Sequence, residues 1–129
     1  NASALDKADS WRGLNTGRRP GTGRLHFVQA DASVQLPFRD AAFDAVLEKG
    51  FIDALCSTAR GEARVSPVFR EAWRVLGMGG VLLSVSQSVR CRLSLIESAH
   101  LQPAPAKIEV RELPGSLRCY ALAKAESTI

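Results

Sequence analysis

Apolar residues fall in short blocks along this chain, and each block ends in a polar or glycine-containing turn. Residues 25–29 (LHFVQ) read as a strand that ends at Ala30 and Asp31. Residues 43–47 (FDAVL) read as a second strand, nearly all apolar as an interior parallel strand should be. It runs directly into Glu48, Lys49 and Gly50. Residues 50–57 then predict a helix with Phe51, Ile52 and Leu55 facing inward. Ser66 and Pro67 form a helix start, a hydroxyl able to cap followed by proline at the first helical position. Val68, Ala72, Val75 and Leu76 keep the 3.6-residue period, and Gly77, Gly79 and Gly80 stop the helix in a turn. Residues 81–85 are the third strand. The distance from Leu47 to Val81 leaves room for a right-handed crossover with its covering helix, so the two strands pair in parallel.

The rest of the pattern is less even. Residues 89–99 predict a helix with Val89, Leu93 and Ile96 along one stripe. Residues 107–113 alternate, Ile108, Val110 and Leu113 against Lys107, Glu109 and Arg111. Pro114 and Gly115 mark a turn, residues 117–124 form a last strand, and the pair reads as an antiparallel hairpin. At the other end, residues 3–14 suit a short amphipathic helix carrying Leu5, Ala8 and Trp11 or Leu14, and residues 15–23 a flexible loop. Residues 36–38 pack back on the core, with Pro37 opposing helix. The fold class is therefore α/β, mostly parallel, finished by an antiparallel hairpin. Residues 1–24 are a basic leader and loop, and residues 25–129 a domain.

At 129 residues, 46% hydrophobic and 23% charged, the chain has the make-up of one globular domain with a modest core rather than of a disordered segment. Of the net charge of +4, residues 1–24 supply +3, from Lys7, Arg12, Arg18, Arg19 and Arg24 against Asp6 and Asp9. The folded part is thus close to neutral, which argues against nucleic acid as a partner. Cys56, Cys91 and Cys119 are too widely spaced for a metal set or a disulfide framework. Each suits a half-buried position in a reducing compartment. His26 and His100 have no companions nearby, so no metal site is expected. No apolar run nears the ~18–20 residues that cross a membrane. The expected location is cytoplasmic, or mitochondrial where a targeting segment precedes Asn1.

Candidate chemistry gathers at strand ends. Asp31 follows the first strand, where a carboxylate can accept a hydrogen bond from a ligand amine or from backbone N–H groups of its own turn. Glu48 and Lys49 can contact a zwitterionic ligand tail or form a solvated ion pair. A helix starting near Lys49 would make Lys49 and Asp53 an i,i+4 pair. Arg90 and Arg92 suit a solvated helix face, or could meet an acidic protein or nucleic acid. The run Gly77-Met78-Gly79-Gly80 lacks the spacing of a phosphate loop. No nucleophile–histidine–acid arrangement can be drawn, which disfavours hydrolysis.

The blocks LHFVQADASVQLPF, FDAVLEKGFIDAL, FREAWRVLGMGGVLLSVSQ and IEVRELPGSLRCYALAKA, in this order, resemble the C-terminal half of a class I S-adenosylmethionine-dependent methyltransferase. The nearest likeness is to the small methyltransferase-like proteins that modify protein lysines, including those acting on elongation factor 1A and citrate synthase. That branch carries a block of the form Asp-Lys-Gly-Thr-Leu-Asp-Ala-Leu. Here it reads EKGFIDAL, with Glu48, Phe51 and Ile52 as departures, and Met78 stands where a proline is usual. The resemblance implies S-adenosylmethionine as cofactor and a protein substrate. It implies that Asp31 bonds the adenine amine with Ala32 beside the ring, and that Glu48, Lys49 and Gly50 lie near the methionine end. Ser86 and Gln87 would face the substrate, and no general base can be assigned.

The same resemblance implies a Rossmann-like sheet ordered 3-2-1-4-5-7-6. With residues 25–29 as strand three and 43–47 as strand four, the first two strands, which carry the glycine-rich loop and the ribose-binding acid, are absent. The expectation is a partial sheet with strand four as a bare apolar edge, open to self-association or to a complementing chain. Such a chain is expected to be incomplete for catalysis. The alternative function is a non-catalytic methyltransferase-like protein-binding module.

Overall fold

The structure, a computed structural model, describes residues 23–87 and 92–126. The predicted helix at residues 3–14, most of the basic leader, and Arg90 and Cys91 lie outside them. Among the described residues, four strands and three helices follow in the order β1 (Phe43–Lys49), α1 (Phe51–Cys56), α2 (Val65–Val75), β2 (Leu76–Ser86), α3 (Arg92–Ser98), β3 (Lys107–Leu113) and β4 (Leu117–Ala123). The strands form one sheet ordered β1-β2-β4-β3. β1 and β2 are parallel, and both pairs made by β4 are antiparallel. This is the 4-5-7-6 half of the order that the resemblance implied.

Residues 25–29 do not form the predicted strand. They carry no regular structure, and Leu25 and Val28 are each 51% exposed. The physical reason is pairing: an extended segment becomes a strand only when a neighbour takes its N–H and C=O groups. In the implied order two strands separate this segment from β1, and none stands beside β1's outer edge among the described residues.

The other departures are local. α2 begins at Val65, after a 3-10 turn over Glu62–Arg64, so Pro67 is its third residue rather than its first. Proline is tolerated there because the first four helical N–H groups lack partners within the helix anyway. α2 ends at Val75, and Leu76 turns extended (ψ 128°) to open β2 with no loop between. The glycine run therefore lies inside β2 instead of forming a separate turn. Pairing steps from Phe43↔Leu76 to Ala45↔Val81, so two steps along β1 match five along β2, and the surplus residues bulge from the ladder.

One face of the sheet carries the core. Val65, Val68, Phe69, Ala72 and Trp73 of α2 pack with Leu82 of β2, Tyr120 and Leu122 of β4, Ile52 of α1 and Ile96 of α3. Removing each such side chain from water contributes roughly 1.5–3 kcal/mol. Residues 36–38 are tied to this layer as predicted. Arg74 donates to the carbonyls of Leu36 (3.0 Å) and Phe38 (2.9 Å), while the Leu36 N–H donates to Glu71 (2.7 Å). That clamp holds the segment leading into β1, whose far end forms the site.

Candidate functional site at the carboxyl edge of the parallel pair

β1 and β2 end side by side, with Glu48 opposite Ser84 and Lys49 opposite Val85. In α/β sheets this edge is where ligands bind. The chain turns at Gly50, whose φ of 73° is left-handed, and enters α1 at Phe51. Glycine suits that turn because a Cβ would cost energy in this conformation. Gly50 also donates its N–H to the Val85 carbonyl (3.1 Å), joining the two strand ends.

Glu48 points into the helix layer. One carboxylate oxygen accepts the Ile52 N–H (2.8 Å) and the other the hydroxyl of fully buried Ser84 (2.6 Å). It thereby caps α1 from two residues before the turn, supplying an acceptor that Gly50 lacks. Lys49 is exposed at the rim of a small cleft of about 170 Å³, which Gly50, Val85, Gln87 and Leu117 also line.

Behind this cleft lies a polar cluster in which Asp53 has partners other than the expected Lys49. Asp53 turns toward β2 and α3 rather than toward Lys49. It accepts the Ser86 hydroxyl (2.7 Å), the Gln87 N–H (2.9 Å) and the Arg92 guanidinium. Arg92 also donates to the Ser86 hydroxyl (2.9 Å). Arg92 is 2% exposed, so it is not on a solvated helix face. It is drawn inside because α3 packs Leu95 and Ile96 onto the core and Asp53 offers a countercharge at that junction. Its Nε and Nη1 find no acceptor among the described residues. Burial alone would raise the Asp53 pKa. The bonds from Ser86 and Gln87 and the Arg92 charge outweigh it and hold the carboxyl below its ordinary range. The spacing of Asp53 from Ser86 and Arg92 gave no sign of this cluster, because only the sheet and the α3 start bring the three together.

Asp31 and Ala32 sit in a different setting. Asp31 accepts the backbone N–H (2.9 Å) and hydroxyl (2.6 Å) of Ser33 and the Arg64 guanidinium (2.8 Å). Ser33's bonds, chiefly, lower its pKa against an opposing effect of desolvation, and Arg64 adds to the lowering. Ala32 packs against the core. A carboxylate has about four acceptor positions, so three contacts leave Asp31, half exposed, able to take one more donor. Glu48 likewise has two contacts made and capacity left. The residues present thus fit part of a cofactor site: an acceptor at Asp31, and an exposed turn at Lys49 and Gly50.

The match that decides the family runs over residues 4–84, to a methyltransferase domain. The chain belongs to that family. S-adenosylmethionine is accordingly its cofactor class. Over 74 residues it is 36% identical to the eEF1A lysine and N-terminal methyltransferase of Bos taurus, a stretch that is 56% of this chain and 10% of the relative. The chain thus spans a small part of that curated protein. Its fold is similar to a SAM-dependent methyltransferase of Methanosarcina mazei (TM-score 0.62, 15% identity, covering 97% of this chain and 80% of the other). It is also similar to the [4+2]-cyclase SpnF (TM-score 0.53, 15% identity, 94% and 61% covered). The second likeness shows that this methyltransferase fold alone does not set the reaction.

Proposed function

We propose that this methyltransferase-family chain takes part in transfer of a methyl group from S-adenosylmethionine to a lysine of a protein substrate. The observation that carries the reading is the family match ending in β2, together with a glycine turn and cleft at the carboxyl edge of the parallel pair. The identity over 74 residues to a lysine and N-terminal methyltransferase supports the substrate class. When bound, the cofactor supplies a methyl group activated by a cationic sulfonium. What the chain must add is alignment of a neutral amine and exclusion of water. In this reading Asp31 accepts the adenine amine with Ala32 beside it. Glu48, through its cap on α1, holds Lys49 and Gly50 at the methionine end. Gln87, exposed at the cleft, faces the amine, whereas Ser86, expected beside it, is 3% exposed and turned inward to Asp53 and Arg92.

The reading includes a partner at β1. The outer edge of that strand is unpaired among the described residues, with Leu47 66% exposed and Phe43 also exposed. An apolar edge of this kind pairs readily with another strand. We therefore take strands from a further segment, a complementing chain or a second copy to complete the sheet before catalysis. The same edge favours the second reading, a non-catalytic module that binds a protein through β1.

Calorimetric titration with S-adenosylmethionine separates these readings, run on the 129-residue chain and on a longer polypeptide extended before Asn1. The expected outcome is weak binding by the first, micromolar binding by the second, and a methyl mass gain on a substrate lysine. Micromolar binding by the 129 residues alone would contradict the need for a completing strand. A longer polypeptide that binds no cofactor would overturn the enzyme reading and leave the binding module.

A further inference from the structure

A second cavity, of about 480 Å³, lies at the opposite end of the sheet from the candidate methyl-transfer edge. It is bounded by the last turns of α2, the start of β2, the segment after α3, and Lys124 beyond β4. That volume is within the range of small-molecule sites. Its charge is mostly positive: Arg70, Arg74 and Lys124 line it against a single carboxylate, Asp40, and His100 adds an imidazole donor.

These groups are not equally occupied. Arg74 is saturated by Glu71, Asp40 (2.8 Å) and two backbone carbonyls, which also neutralises Asp40. Lys124 gives two hydrogen bonds of 2.6 Å to the Trp73 and Leu76 carbonyls, at the end of α2 where a cation is favoured. Arg70 is different. It is exposed, makes one long bond to the Ala99 carbonyl (3.4 Å), and has no carboxylate partner among the described residues. His100 stands exposed just past α3 with a left-handed φ of 49°, a position glycine would fill with less strain. The cavity also has apolar wall: Met78, 53% exposed, with Leu101, Pro103 and the Trp73 edge.

We propose that this cavity binds a small organic anion, a carboxylate or phosphate head held by Arg70 and His100 in the field of Lys124, with an apolar body against Met78 and Pro103. Arg70 supplies a planar donor fork suited to either head group. Lys124 contributes charge without having to move. The site is distinct from the methyl-transfer edge and does not depend on that reading.

The test titrates the full chain with phenyl phosphate, benzoate and neutral benzamide, following the indole N–H resonance of Trp73 in ¹H–¹⁵N spectra. That indole donates to the Pro103 carbonyl (2.8 Å) and reports on the wall. At least one of the two anions should shift the resonance saturably, and which one does so separates a phosphate from a carboxylate site. Arg70→Gln should weaken that binding about tenfold, and Met78→Glu, which brings a negative charge to the exposed wall, should abolish it. Equal binding of benzamide would overturn the proposal. So would unchanged affinity in both variants, or no saturable shift by either anion below ~10 mM.

Discussion

At the residue scale, the buried ion pair is the feature with the clearest consequence. Asp53 and Arg92 join α1 to α3 through Ser86, and each removal leaves the partner's charge or donors in a water-poor setting. Asp53→Asn should therefore cost roughly 3–5 kcal/mol, measured by urea denaturation. Arg92→Met should cost less, because Asp53 is partly exposed and keeps the Ser86 and Gln87 donors. Equal losses in the two variants would contradict this asymmetry. Glycines separate in the same way. A Cβ on Gly61 would lie 1.7 Å from the Leu55 carbonyl oxygen, whereas one on Gly50 meets nothing within 4 Å. Gly61→Ala should lose roughly 3 kcal/mol or more, and Gly50→Ala only the ~1–2 kcal/mol of a left-handed backbone. Comparing their thermal midpoints checks it. Among the single residues, Glu48, Lys49 and Gly50 were legible as a strand-end group because they directly follow an apolar run. Arg92 was not. Nothing local distinguishes a buried arginine from one on a solvated helix face.

At the element scale, the two edges of the sheet behave differently. β3 carries Lys107, Glu109 and Arg111, with Lys107 paired to Glu109 at 2.6 Å, and such a charged edge resists pairing with another sheet. β1 has exposed charges only towards its ends, at Asp44 and Lys49, and Leu47 stands out from it at 66% exposure. Leu47→Lys should raise the dissociation constant for any self-association at least about tenfold, as read by analytical ultracentrifugation. An unchanged constant would place association elsewhere. The hairpin of β3 and β4 and the parallel pair of β1 and β2 were legible from alternation and from the length of the crossover. The strand at residues 25–29 was misread because its apolar pattern is sound but its partners are not among the described residues. The helix start was displaced by two residues because Ser66 and Pro67 tolerate several positions in a first turn.

At the scale of the whole molecule, several carboxylates hold the layers together and set the response to acid. Glu71 is lowered by its bonds to Arg74, against some desolvation, and Asp53 is lowered as described above. A carboxyl depressed in the folded state stabilises it fully above the unfolded pKa of about 4. That contribution is lost as pH falls through the lower folded value. The urea midpoint should thus be flat near neutrality and drop below about pH 4, and Glu71→Gln should make the drop shallower. A midpoint insensitive to pH in that range would contradict the role of these pairs. The sequence by itself determined the class of fold, the order of its main elements and the family, since periodicity and block order are local and survive without coordinates. Only the tertiary structure decided that Asp53 meets Arg92 and that a cationic cavity opens at the far end of the sheet. Each of those depends on residues separated by thirty or more positions meeting across the sheet. Such meetings are set by packing and pairing, which no single stretch of the chain encodes.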